Sequence, residues 1–220
     1  MEREVYQALK TWKASPARKP LLLQGARQVG KTHLLKDFAR REYSDFIYLN
    51  FEETPDLASI FAGDLTVTRL IEVISAFVAK TIHPDTTVII LDEIQVCPRA
   101  LTSLKYFHEQ APQYHVMAAG SLLGVSVGKT NSFPVGKVNF LNLYPLSFFE
   151  FLLAMGEERL LVMLKENQIC APLPDLIHTR LSDLLQRYLF LGGMPEVVQS
   201  YVSGADLNQA RNIQKDILLA

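Results

Sequence analysis

Gly25-Ala-Arg-Gln-Val-Gly30-Lys31-Thr32 lies between an apolar run, Leu21-Leu22-Leu23-Gln24, and a segment with Leu34, Leu35, Phe38 and Ala39 on one helical face. A GxxxxGK[ST] pattern between a strand and a helix is that of a loop that cradles phosphate. Its glycines let backbone N–H groups turn inward onto phosphate oxygens. The helix that follows adds the partial positive charge of its first amides. Gly25, Ala26, Arg27, Gln28, Val29, Gly30, Lys31, Thr32 and His33 are therefore expected around a bound nucleotide. Lys31 would reach the β and γ phosphates, and the Thr32 hydroxyl would hold Mg²⁺.

Outward from this loop, strand and helix signals alternate. A short helix over residues 2–14 stops at Ser15-Pro16. Phe46-Ile-Tyr-Leu-Asn-Phe51 reads as a second strand, rich in aromatic and branched residues. Leu70, Ile71, Ile74, Phe77 and Val78 form a helical stripe, Val88-Ile-Ile-Leu91 a fully buried strand, and Pro98 opens the next helix. His115-Val-Met-Ala-Ala-Gly120 and Val138-Asn-Phe-Leu-Asn-Leu143 complete the strands. This alternation predicts an α/β fold, a parallel sheet with helices on both faces. After Tyr144-Pro145 only helical spacing recurs, in Leu176, Ile177, Leu181, Leu184, Leu185 and Tyr188, with Gly192-Gly193 and Ser203-Gly204 dividing shorter helices. The boundary is placed there, with a core over residues 1–144 and a helical part over 145–220.

Asp92-Glu93 directly follows the buried strand. Ligands of parallel sheets bind at the carboxyl ends of strands, where the glycine-rich loop also lies. Asp92 is then placed to hold Mg²⁺ through water, and Glu93 to polarise an attacking water as general base. Ser121, after Ala118-Ala119-Gly120, would report on the γ phosphate or hold that water. Asn50, near the end of the second strand, would hydrogen-bond Glu93 and gate its basicity. Both also have a plainer reading as capping or turn residues.

The phosphate loop, Leu91-Asp92-Glu93-Ile94-Gln95, Ala119-Gly120-Ser121 and Leu143-Tyr-Pro-Leu-Ser-Phe-Phe-Glu-Phe151 together resemble a prokaryotic AAA-type P-loop ATPase family. Members join the ATPase domain to a C-terminal domain of poorly defined function. The resemblance implies ATP rather than GTP, Mg²⁺, a P-loop NTPase three-layer sandwich with a parallel sheet of about five strands, and a smaller all-helical lid. It implies the same roles for Asp92, Glu93 and Ser121. Gly192-Gly193-Met194-Pro195 is similar to a Gly-x-Pro signature in the lids of related switch ATPases, where the proline packs on adenine; an interhelical turn fits these residues equally well. Such families often carry an arginine after a glycine before the last strand, but here the pair is Gly136-Lys137, a point charge instead of a planar fork. Arg99 and Arg180 are the alternatives for an arginine finger. Lys129 and Lys137 flank a Thr-Asn-Ser-Phe-Pro loop read as solvated surface.

Composition narrows the functions. The 220 residues are 49% hydrophobic and 20% charged with net charge −1, so a generally basic nucleic-acid binder is disfavoured. Cys97 and Cys170 form no disulfide framework or metal spacing, which fits a reduced, cytoplasmic compartment. No secretory leader or apolar span of membrane length is evident. ATP hydrolysis that drives or switches something attached is the leading function. A nucleotide-gated switch with very slow turnover, linked to DNA or to a C-terminal effector, is the alternative. A small-molecule kinase is disfavoured because the adjacent Asp92-Glu93 suits activation of water, and a GTPase because NKxD is absent. Self-assembly is a candidate source of further catalytic groups, and any protein or DNA partner is unspecified. The last helix, from Ala205 to Ala220, carries Ile217-Leu218-Leu219 without a stop signal, so the chain is expected to be cut from a longer protein before a further domain.

Overall fold

A computed structural model of the chain describes residues 3–121, 136–166 and 172–219. Lys129, its Thr-Asn-Ser-Phe-Pro loop and Cys170 lie outside them. The chain divides into two compact units, Tyr6–Leu143 and a second formed by Tyr144–Ala220 with Met1–Val5.

The first unit is a five-stranded, all-parallel sheet of β1 (Leu21–Gln24), β2 (Asp45–Asn50), β3 (Thr87–Asp92), β4 (His115–Gly120) and β5 (Asn139–Asn142) in the order β2-β3-β4-β1-β5. Helix α1 (Val5–Ala14) precedes β1, and α2 (Lys31–Glu42), α3 (Val67–Val78) and α4 (Pro98–Gln110) lie between strands, with 3-10 turns at Pro55–Phe61 and Ile94–Val96. Strand alternation divides the core between two faces. Leu22, Ile47, Leu49, Ile89, Leu91, Val116 and Ala118 pack with Leu70 and Ile74 of α3 and Leu101, Leu104 and Phe107 of α4. The alternate residues Leu21, Leu23, Ile90, Met117 and Ala119 are equally buried and turn to the opposite face, and α2 packs on β2, β3 and β4. Burial on both faces explains why β3 and β4 are apolar with no polar alternation.

The differences from the sequence reading are local. The second strand begins and ends one residue earlier, and Phe51 instead packs edge-on against Phe61. Phe77 faces solvent, because the buried stripe of α3 runs through Val67, Leu70 and Ile74. The last strand is an edge strand, which leaves Phe140 about half exposed.

The second unit contains α5 (Phe148–Ala154), α6 (Glu158–Glu166), α7 (Asp175–Leu191), α8 (Pro195–Val202) and α9 (Leu207–Leu219). Ser147 caps α5 in a capping box with Glu150. Glu150 is buried, and its Oε1 also accepts from Arg3 Nε at 3.0 Å and the Glu4 amide at 2.8 Å. The Tyr-Pro-Leu-Ser-Phe-Phe-Glu segment thus carries a structural anchor. Leu176 of the predicted α7 stripe is 81% exposed, and only Leu184 and Leu191 of that helix are buried. Among the described residues no helix is long and apolar enough to cross a membrane.

Candidate functional site

The carboxyl ends of β1, β3 and β4 lie level, with Gln24 beside Gly120 and Leu91 beside Ala118. The loop after β1 turns sharply into α2. Gln28 at φ 62° and Gly30 at φ 92° take the left-handed region, which aims successive amides to one side. Gly25 is required for another reason: a Cβ there would stand 2.3 Å from the Leu143 carbonyl oxygen. Ala26, Arg27 and Gln28 are exposed, as is His33, while Val29 is fully buried beneath the loop.

Lys31 is buried, its Nζ donating to the carbonyls of Gly25 at 3.0 Å and Ala26 at 2.7 Å. Burial holds its pKa below the ordinary lysine value and Arg27 pushes the same way, against Glu93 and Asp92.

Thr32 and Asp92 meet. Both Asp92 and Ile90 lie on the α2 side of β3, so the first turn of α2 presents the Thr32 Oγ1, which donates to Asp92 Oδ2 at 2.6 Å. Asp92 is completely buried, and its Oδ1 accepts from the Glu93 amide at 3.0 Å. A hydroxyl and a carboxylate side by side are hard oxygen donors, the set that suits Mg²⁺.

Two side chains missed in the sequence complete this cluster. Tyr48 donates to Asp92 Oδ2 at 2.9 Å, and Lys36 Nζ sits 3.4 Å from the centre of the Tyr48 ring. Burial, with the Asp92 carboxylate next, raises the Tyr48 pKa well above the usual phenol value. Alternation along β2 was the available signal: residues 48 and 50 share a face, and Asn50 pairs with Asp92. The other is Gln95, whose Nε2 donates to Glu93 Oε2 at 2.6 Å and to Ser121 Oγ at 3.3 Å. Glu93 itself has φ 50° and opens the 3-10 turn Ile94–Val96, from which Gln95 reaches it.

Asn50 was expected on Glu93 or as a turn residue; its Nδ2 donates to the Tyr48 hydroxyl at 3.1 Å and its Oδ1 accepts from the amides of Glu52 and Glu53, the bonds of a turn residue. Ser121 is buried at the end of β4. The candidate fingers are all engaged: Arg99 with the carbonyls of Phe61 and Gly63, Lys137 with Glu109 at 3.0 Å, Arg180 with Glu157 at 2.6 Å. Pro195 belongs to the second unit, where it opens α8 after Gly193; a Cβ on Gly193 would lie 2.3 Å from the Leu146 carbonyl oxygen.

A family model for an AAA domain matches residues 17–152. Comparison with curated proteins finds no match. Among solved structures, Drosophila ORC bound to DNA is similar over 97% of this chain and 66% of the other, at 15% identity and a TM-score of 0.53, a likeness of fold. Caenorhabditis elegans PCH-2 gives 14% identity and a TM-score of 0.49 over 97% and 65%, and AMPPCP-bound DnaA from Aquifex aeolicus 14% and 0.46 over 90% and 57%. The chain spans less than two thirds of each of these proteins.

Proposed function

The chain belongs to the AAA domain family, and from that membership we propose that it binds ATP with Mg²⁺ and hydrolyses it. The observation that carries this reading is the contact of Thr32 with Asp92, beside a buried lysine that donates to two carbonyls of the loop itself.

In this reading the amides between Gly25 and Thr32 hold the phosphates, and Lys31 exchanges its two loop carbonyls for β and γ oxygens. That exchange relieves an ammonium that burial disfavours. Thr32 and Asp92 would hold Mg²⁺, which when bound neutralises charge on the phosphates. Tyr48 fixes one oxygen of Asp92 and the Glu93 amide the other, so the carboxylate cannot rotate away. Glu93 accepts the proton of the attacking water, and Ser121 faces the γ phosphate.

Glu93→Gln tests the reading: ATP affinity should stay within about threefold while hydrolysis falls about 100-fold or more. Wild-type turnover in that variant would remove Glu93 as the base. Self-assembly and a DNA or protein partner belong to this proposal too; sedimentation with and without ATP, and ATPase rates with and without duplex DNA, check them. Drosophila ORC is a neighbour solved with DNA, and its DNA is a property of that protein.

A further inference from the structure

Gln95 lies in the turn after Glu93, and its side-chain amide reaches both Glu93 and Ser121. Both of its N–H bonds are used, one on Glu93 Oε2 and one on Ser121 Oγ. The reverse amide orientation would press a carbonyl oxygen against a carboxylate oxygen at 2.6 Å, two acceptors with no proton between them. The orientation is therefore fixed, and it leaves Gln95 Oε1 buried without a hydrogen-bond partner among the described residues. A buried carbonyl oxygen lacking a donor is costly and seldom left so. A partner for it must donate. Water is the donor that buried polar atoms of this kind most often take.

We propose that Gln95 is a catalytic residue: its Oε1 and the Glu93 carboxylate accept the two protons of one water and turn that water's lone pair to the γ phosphate. The inference deepens the hydrolysis reading and rests on it. Glu93 and Ser121, by taking the two N–H bonds, lock the amide plane so that Oε1 keeps its aim. The water oxygen bonds to the γ phosphorus while the bond to the β–γ bridging oxygen breaks, its electron pair leaving with ADP. One water proton passes to Glu93, and the other stays on the new phosphate, hydrogen-bonded to Gln95 Oε1.

The test compares Gln95→Met, which keeps length but has no amide, and Gln95→Ala with Glu93→Gln and the wild-type chain. ATP affinity should stay within about threefold and kcat should fall about 100-fold, the size expected for one preorganised group. Affinity for ADP with aluminium fluoride, which traps the attacking water, should fall by a similar factor while ADP affinity holds. The Glu93→Gln, Gln95→Met double variant should be no slower than Glu93→Gln alone, because both groups act on one water.

Wild-type kcat in both Gln95 variants overturns the inference, as does a loss of ATP affinity that parallels the loss of kcat. Slow turnover in Glu93→Gln beside fast turnover in Gln95→Met rejects Gln95 alone. Fast turnover in Glu93→Gln, or a wild-type chain that neither hydrolyses ATP nor traps aluminium fluoride, removes the hydrolysis reading and the inference with it.

Discussion

Lys31 is the residue on which the proposed binding turns. It is 5% exposed and held by two carbonyls, so removing it frees those carbonyls and deletes the cation proposed to meet the phosphates. Lys31→Ala is expected to weaken ATP binding at least about 100-fold in an equilibrium titration with a fluorescent ATP analogue. Tyr48→Phe is a gentler change. It removes one of two hydroxyls on Asp92 Oδ2, and should cost about 1–2 kcal/mol of stability, read from urea midpoints, with ATP affinity moving less than for Lys31→Ala. Lys31, Thr32 and Asp92 were legible because each sits where a local pattern ends, in a loop motif or at the close of an apolar strand. Tyr48 and Gln95 were not, because their partners depend on strand register and on a non-glycine residue in the left-handed region.

At the scale of elements, close backbone approaches decide which small residues are indispensable. The Leu143 amide donates to the Gln24 carbonyl at 2.7 Å, so β1 and the end of β5 meet where a Cβ on Gly25 would fall. Gly25→Ala must push these backbones apart, and is expected to cost about 1–3 kcal/mol, seen as a lower melting temperature. In the second unit Glu150 closes the capping box and neutralises Arg3. Glu150→Ala should therefore destabilise by about 3 kcal/mol and Ser147→Ala by about 1, compared by urea unfolding. The alternation of strands and helices showed the parallel sheet from sequence alone, since doubly buried strands are apolar throughout. It did not show that β4 lies between β1 and β3, because strand order depends on crossovers that leave no local mark.

At the scale of the molecule, stability should depend on pH through one buried histidine. His115 opens β4, faces the Tyr43 hydroxyl at 2.6 Å from Nδ1, and has Asp85 at 3.4 Å from Nε2. Burial lowers its pKa to about 4, with Arg18 and Lys13 acting in the same sense and Asp85 opposing. The folded chain thus keeps the ring neutral where an unfolded histidine, near 6.5, takes a proton. As pH falls from about 6.5 to about 4 the unfolded state binds the extra proton, so stability drops by about 2–3 kcal/mol and then levels off. His115→Gln, which keeps an acceptor for Tyr43, should flatten this window in urea midpoints measured from pH 7.5 to 4.5.

The strand order also sets a timetable for synthesis. Residues 21–24 leave the ribosome well before their neighbours, residues 117–120 and 139–142, so the middle of the sheet closes last. The pairing of residues 45–50 with 87–92 spans a shorter stretch and can form sooner. Until then Leu21, Leu22 and Leu23 are an apolar strand with no companion on either side, a segment suited to chaperone binding on the nascent chain.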